Sequence, residues 1–383
     1  MTVAKRSEGR PEGGGAAAAP APAPLVAVED LRVRFVSRDR TVHAVNGVSF
    51  TLGKGEVLSI IGESGSGKSV TLRALMRLLP RRAQVSGHVS IAGHDVLRAS
   101  ARQLGDLRGP VVAMIFQEPA VAFDPVYRIG EQIVEMIVRH EGCGRDAARR
   151  RARELLEMVQ IPSAARRLDA YPHELSGGMR QRAMIALALS CRPGLLLADE
   201  PTTALDATVQ IQILLLLREL QRQLGMAVIF VTHDMGVAVE IADELAVMYA
   251  GRFVERGPTR DMLASPAHPY TQGLLASTVR GAERGSRLRA IPGAPPDLSQ
   301  PPAGCGFAPR CSFAQERCRR EAPPELAIAE RRRVRCILAE SGQAPSSSSP
   351  SIQPKGDQPF EPATAAGVLT QSGVRIAPGR DAR

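Results

Sequence analysis

An α/β architecture, a mostly parallel sheet covered by helices on both faces, is the fold class this 383-residue sequence predicts. Three observations predict it. Between residues 25 and 256, short β-branched apolar runs alternate with longer stretches of helical periodicity, the pattern of strands joined by crossover helices. Apolar residues make up 44% of the chain and charged residues 23%, the composition of an ordinary globular protein. Aromatic residues are only 3%, with no Trp, so the core has to be built from Ala, Val, Ile, Leu and Met.

Taken in order, residues 1–24 are rich in Gly, Ala and Pro and read as a disordered lead. Strands are expected at 57–61, 111–116, 195–198, 227–232 and 245–249, and helices at 68–79, 146–160, 178–190 and 206–224. Beyond Gly257 the periodicity gives way to Pro-punctuated segments that carry four of the six Cys. This reads as a small irregular module over 258–340, distinct from the domain at 25–257. Residues 341–383 open with Ser-Gly-Gln-Ala-Pro and a run of serines, and read as a second disordered tail. No internal repeat is visible, so the chain holds one such domain.

The net charge is +10, but only four of the 49 basic residues are Lys, and the Arg are scattered among acids. This reads as a bias toward Arg, and it decides neither for nor against a polyanionic partner. No apolar stretch approaches the 18 residues a membrane-spanning helix needs. Lys5 and Arg6 are followed by Ala, Pro and Gly without the apolar run of a secretory signal, so the chain is expected to stay in the cytoplasm.

The strand at 57–61 runs into Gly62-Glu63-Ser64-Gly65-Ser66-Gly67-Lys68-Ser69, a match to G-x-x-x-x-G-K-[ST] placed between a strand and a helix. Glycines in this pattern let successive backbone N–H groups converge on phosphate oxygens at a helix N-terminus. Lys68 is expected to neutralise the β- and γ-phosphates of a nucleoside triphosphate, and the Ser69 hydroxyl to ligate Mg²⁺. Downstream, Leu195-Leu-Leu-Ala-Asp-Glu200 is an apolar strand ending in two acids, the Walker B pattern. A parallel strand delivers its C-terminal end to the ligand crevice, so Asp199 is expected in the Mg²⁺ shell. Glu200 then stands where a water attacking the γ-phosphate needs a base.

These two motifs suit many NTPases, and a third narrows the field. Leu175-Ser-Gly-Gly-Met-Arg-Gln-Arg182 opens a helix with Ser176 as its N-cap and paired glycines at the positive helix end. Set before a Walker B strand, this run resembles the signature of ATP-binding-cassette ATPases. The resemblance implies a RecA-like core with antiparallel β and helical subdomains. It also implies two cassettes packed head to tail, with Ser176, Gly177, Gly178 and Gln181 closing on the ATP of the partner. Gln117 resembles the Q-loop residue, which touches Mg²⁺ and the lytic water and contacts the membrane subunits. Asp206, after Ala204-Leu205, resembles the D-loop, and His233 the switch histidine beside the γ-phosphate. Phe35 is the candidate for stacking on adenine, with a place in the core as its other reading.

Within that family no fused membrane helices, second cassette or long coiled-coil insertion is present, which leaves a separate ATPase docked on separate membrane proteins. The wording around Phe116-Gln-Glu-Pro-Ala-Val-Ala-Phe-Asp-Pro, His268-Pro-Tyr-Thr-Gln-Gly and Ile291-Pro-Gly-Ala-Pro-Pro resembles the ATPase subunits of dipeptide and oligopeptide importers. That implies ATP and Mg²⁺, two permease subunits, a second and distinct ATPase subunit, an extracytoplasmic peptide-binding protein, and no nucleic acid. The place implied is peripheral, on the cytoplasmic face of the inner membrane. Nickel or glutathione import by the same mechanism is one alternative, and a soluble DNA-associated ATPase is another.

Cys305, Cys311, Cys318 and Cys336 fall within a 32-residue span spaced C-x5-C-x6-C-x17-C. In a reducing cytosol, four thiols in a core-poor segment suit a metal or cluster more than disulfides. The spacing lacks the C-x2-C knuckles of structural zinc. The importer resemblance implies a [4Fe–4S] cluster on these four, with zinc and free or paired thiols as alternatives. Cys143 and Cys191 read as ordinary side chains.

Overall fold

The computed structural model describes residues 23–203, 205–277 and 290–340. The expected disordered lead, up to residue 22, and the tail from residue 341 lie outside these, as does Ala204 of the expected D-loop. The chain begins with β1 (Val26–Val36), β2 (Thr41–Leu52), β3 (Val57–Ile61), α1 (Lys68–Leu75), β4 (Ala83–Ile91), β5 (His94–Asp95), α2 (Ala101–Leu107) and β6 (Val112–Ile115). A helical stretch follows with α3 (Pro119–Ala122), α4 (Ile129–Glu141), α5 (Arg145–Met158), α6 (Ala164–Arg167) and α7 (Gly177–Leu189). Then come β7 (Leu195–Asp199), α8 (Ala207–Leu224), β8 (Ala227–Thr232), α9 (Met235–Ile241), β9 (Glu244–Tyr249) and β10 (Arg252–Pro258). The last described elements are α10 (Thr259–Ala264), α11 (Pro269–Ala276), α12 (Glu316–Arg320), β11 (Leu326–Ala329), β12 (Arg332–Val334) and α13 (Ile337–Glu340).

The main sheet has the order β11-β12-β10-β9-β3-β8-β7-β6, with β9, β3, β8, β7 and β6 parallel. Its strands alternate between two cores. Leu58 and Ile60 of β3, Leu195 and Leu197 of β7 and Ile229 and Val231 of β8 pack on one side against α1 and a four-stranded antiparallel sheet, β2-β1-β4-β5. Leu196 and Ala198 of β7 and Val228 and Phe230 of β8 pack on the other side against α4, α5, α7 and α8. Strands buried on both faces read as unbroken apolar runs, as the sequence of β7 does.

Two features depart from the sequence reading. The first helix stops at Leu75 instead of continuing to 79, because Arg77 takes the left-handed conformation, at φ 49°, three residues before Pro80. The residues after Gly257 extend the main sheet: β10 pairs with β9 on one side and with β12 on the other. Tyr249, Tyr270 and Phe307 share a third core with Ile61 and Val247, so the cysteine-bearing residues pack onto the strand that leads to the phosphate loop. No helix among the described residues is long and apolar enough to cross a membrane.

Candidate functional site

The loop between β3 and α1 forms the floor of a cleft of about 780 Å³. Gly67 sits at φ 106°, and a Cβ there would run into the carbonyl oxygen of Ala44, so only glycine lets the loop lie this close to β2. Lys68, 4% exposed, donates from Nζ to the carbonyl oxygens of Gly62 and Glu63 at 2.8 and 2.9 Å. Burial pulls its pKa below the usual lysine value, against the opposing carboxylates of Glu200, Asp199 and Glu63. Glu63, Ser64, Gly65, Gly67, Lys68 and Ser69 line the cleft with Phe35, the proposed adenine partner. Val42, Ala44, Leu274 and Leu298 also line it, and sequence reasoning did not name them. Leu274 and Leu298 come from beyond residue 257, and the Leu298 carbonyl accepts a hydrogen bond from the His43 amide at 2.9 Å.

β7 brings Asp199 beside the loop, where its Oδ1 accepts the Ser69 hydroxyl at 2.6 Å. The Asp199 carboxyl is fully buried, and burial raises its pKa above the usual carboxylate range. Its Oδ2 has no hydrogen-bond partner and lies 3.5 Å from the Arg73 guanidinium. A buried carboxylate oxygen left without a donor, beside a serine hydroxyl, is the hard-oxygen donor set that suits Mg²⁺, so these residues fit the ion.

The next residue turns the chain sharply. Glu200 adopts φ 44°, an uncommon conformation for a residue with a side chain, held by its amide donating to the Val231 carbonyl of the neighbouring strand β8. Its Oε2 gathers three partners: the Thr203 hydroxyl at 2.9 Å, Gln117 Nε2 at 3.3 Å and His233 Nδ1 at 3.3 Å. The loops after β6, β7 and β8 therefore deliver Gln117, Glu200 and His233 to one point at the C-terminal edge of the parallel strands. Thr203 is a fourth member that the sequence reading missed. His233 stays open to solvent at 61% exposure, free to reach a ligand in the cleft.

The signature residues lie apart from this cleft. Ser176 caps α7, its hydroxyl accepting the Met179 amide at 3.3 Å, and Asp206 caps α8 by accepting the Val209 amide at 3.0 Å. Gln181 departs from expectation. It is 1% exposed, on the α7 face that also buries Met184 and Ile185, and its Nε2 finds no partner. In this conformation its side chain is not presented to a partner cassette.

The four cysteines meet in space but do not form a metal centre as they stand. Cys305, Cys311, Cys318 and Cys336 line one cavity of about 20 Å³ together with His268 and Phe307. Among the described residues no group of three or more His, Cys, Asp or Glu side chains is arranged to hold a metal ion. A space that size holds about one water molecule. Burial pushes three of these thiols up, Cys305 among them, with Cys311 at about 12 and Cys336 at about 11. His268 accepts the Tyr270 amide at Nδ1, at 3.0 Å, while its buried Nε2 has no partner. The donor chemistry of these side chains suits a thiophilic group.

Comparison with known proteins agrees with this geometry. The family model described as ABC transporter matches residues 45–203, and the one described as oligopeptide/dipeptide transporter, C-terminal region, matches 254–318. The oligopeptide transport ATP-binding protein OppD of Salmonella typhimurium is 48% identical over 313 residues, covering 82% of this chain and 93% of that protein. The chain belongs to the ABC transporter family. Over 318 residues it is also 45% identical to the dipeptide transport ATP-binding protein DppD of Bacillus subtilis, covering 82% of this chain and 95% of that one. Among solved structures, the ATP-binding cassette MJ0796 in its dimeric post-hydrolysis state with ADP and Pi superposes at a TM-score of 0.56. That match has 28% identity and covers 62% of this chain and 99% of that one. This ABC protein is accordingly an ATPase with the mixed α/β cassette fold.

Proposed function

We propose that this chain is the ATP-hydrolysing subunit that drives import of di- and oligopeptides through two separate membrane permease subunits, bound peripherally on the cytoplasmic face of the membrane. The observation that carries the reading is 45–48% identity along 82% of the chain to relatives named for oligopeptide and dipeptide transport, continued into a matching C-terminal region. Nothing in the site or the relatives favours the DNA-associated alternative.

In this reading residues 25–257 are the cassette and 258–340 a module that the importer subgroup carries. The amides of the 62–69 loop and Lys68 hold the triphosphate, and Phe35 covers the adenine. Ser69, Gln117 and Asp199 hold Mg²⁺, which neutralises charge on the phosphates when bound. Glu200 takes the proton of the attacking water, and Gln117 and His233 fix the water and the γ-phosphate. Ser176, Gly177 and Gly178 close on the ATP of a second, distinct ATPase subunit, with Asp206 at the shared interface. Val121, Val126 and Tyr127, exposed just after Gln117, supply apolar area for contact with the permease. An extracytoplasmic binding protein and the permease select the peptide.

The module's four cysteines would hold a [4Fe–4S] cluster through their thiolates. Support comes from the cavity that the four share and from His268, which also lines it and whose buried Nε2 has no partner. Anaerobically purified protein is expected to show broad visible absorption that bleaches with dithionite, and colourless protein with one zinc rules the cluster out. Transport itself is tested by uptake of labelled di- and oligopeptides and of nickel in cells carrying wild-type or Glu200→Gln protein. Loss of peptide uptake supports the proposal, and loss of nickel uptake alone moves the substrate.

A further inference from the structure

Glu63, the second residue of the phosphate loop, is gripped at both its backbone and its side chain. Its amide donates to the Tyr270 hydroxyl at 2.9 Å, and its carbonyl accepts Lys68 Nζ. Its carboxylate receives a two-pronged bond from Arg310, Nη1 to Oε2 at 2.6 Å and Nη2 to Oε1 at 3.0 Å. Arg310 lies 247 residues away, in a tight turn one residue before Cys311. Its guanidinium is itself fixed: Nε donates to the Pro292 carbonyl at 2.8 Å, Nη2 to the Ile291 carbonyl at 3.2 Å, and Nη1 to the Tyr249 hydroxyl at 3.2 Å. The Arg310 side chain is 5% exposed and that of Glu63 25%, so the cation is buried while its carboxylate partner keeps one edge toward the cleft.

The placement of this pair has an electrostatic consequence. Glu63 and Lys68 line the same cleft, and an uncompensated carboxylate there would oppose the charge of a bound triphosphate and its loop amides. A buried, bidentate Arg cancels that charge and fixes the loop's first turn, which Lys rarely does as well. We infer that Arg310 is a positioning residue for ATP binding, supplied by the cysteine-bearing module: it neutralises Glu63 and holds the phosphate loop in its binding shape. The inference rests on the 62–69 loop being the nucleotide site.

The test measures MgATP, MgADP and AMP affinity, and the KM and kcat of ATP hydrolysis, on the full-length protein. Wild type must bind MgATP, and its failure to do so would sink the site reading itself rather than this inference. Arg310→Met is expected to raise the KM for MgATP about tenfold, less than loss of one partner of a fully buried charge pair because Glu63 stays 25% exposed, with a much smaller change in kcat. The loss must shrink in the order ATP, ADP, AMP, following ligand charge, a grading that general loosening of the fold does not produce. Adding Glu63→Gln to Arg310→Met must bring the KM back to within about threefold of wild type, because the stranded carboxylate is gone. A KM within twofold of wild type for Arg310→Met, or a double variant as weak as the single one, overturns the inference. Should Arg310→Met fail to fold, Arg310→Lys decides: it keeps the charge but loses the two-pronged bond, so a KM rise of no more than about threefold is expected, and a tenfold rise overturns the electrostatic role.

Discussion

Replacing Glu200 with Gln removes the basic oxygen and one negative charge while keeping the shape of the side chain. The amide oxygen can still accept the Thr203 hydroxyl and the Gln117 amide that Glu200 Oε2 now receives at 2.9 and 3.3 Å. The fold therefore loses at most about 1.5 kcal/mol, the net worth of one rearranged hydrogen bond. Catalysis loses far more. A general base contributes about 10²–10⁴ in rate, or about 2.7–5.4 kcal/mol at 1.36 kcal/mol per decade. ATP binding is retained or tightened, because its groups lie on the 62–69 loop and a negative charge beside the γ-phosphate has gone. The assay is phosphate release at saturating ATP on the assembled transporter, paired with equilibrium ATP binding to the same preparation. Turnover within about fivefold of wild type, with ATP bound normally, refutes the role given to Glu200.

Lys68→Ala is expected to abolish nucleotide binding itself, and ATP affinity at the wild-type level would contradict the phosphate-loop account. Because burial raises the Asp199 pKa, the folded apo chain holds that proton more tightly than the unfolded chain, and its stability falls as pH rises through the folded value. Asp199→Asn is neutral throughout, so in EDTA at neutral pH it is expected to melt about 2–4 °C above wild type for each kcal/mol of relieved charge burial. The same variant is expected to lose the stabilisation that MgATP confers on wild type, and a lower melting temperature in EDTA would contradict the charge-burial argument. Glu255 is 1% exposed and accepts the Ala267 and His268 amides, both at 2.9 Å, and Arg332 Nη2 at 2.8 Å. Glu255→Ala strands these donors and is expected to cost about 3–5 kcal/mol in urea unfolding, with a loss below 1 kcal/mol counting against it.

The parts of the fold legible in the sequence are those encoded locally. β7 reads as a strand because both its faces are buried, and the phosphate loop reads from glycines at fixed offsets. The antiparallel sheet is harder to see. In β1 the register shifts between Val28 and Leu31, where Asp30 turns at φ 45°, and this breaks the period-two alternation that marks a strand. β12 is three residues, Arg-Arg-Val, recruited by pairing with β10 across 77 positions, as at Arg256 and Arg333. At the site, Asp199 and Glu200 were legible as two acids closing an apolar parallel strand, and Gln117 and His233 through their resemblance to the cassette motifs. Arg310 was not, because a contact spanning 247 residues leaves no local pattern. The family resemblance put Gln181 at the partner's ATP, whereas its helical phase, three and four residues before Met184 and Ile185, turns it inward.

The central claim is that ATP hydrolysis by this chain moves peptides across a membrane. The most direct measurement is uptake of labelled di- and oligopeptides into proteoliposomes holding the permease subunits and both ATPase subunits, with the peptide-binding protein outside and ATP inside. The account predicts accumulation that needs ATP and disappears with Glu200→Gln. Steady ATP hydrolysis with no peptide accumulated, at any peptide length, would contradict it.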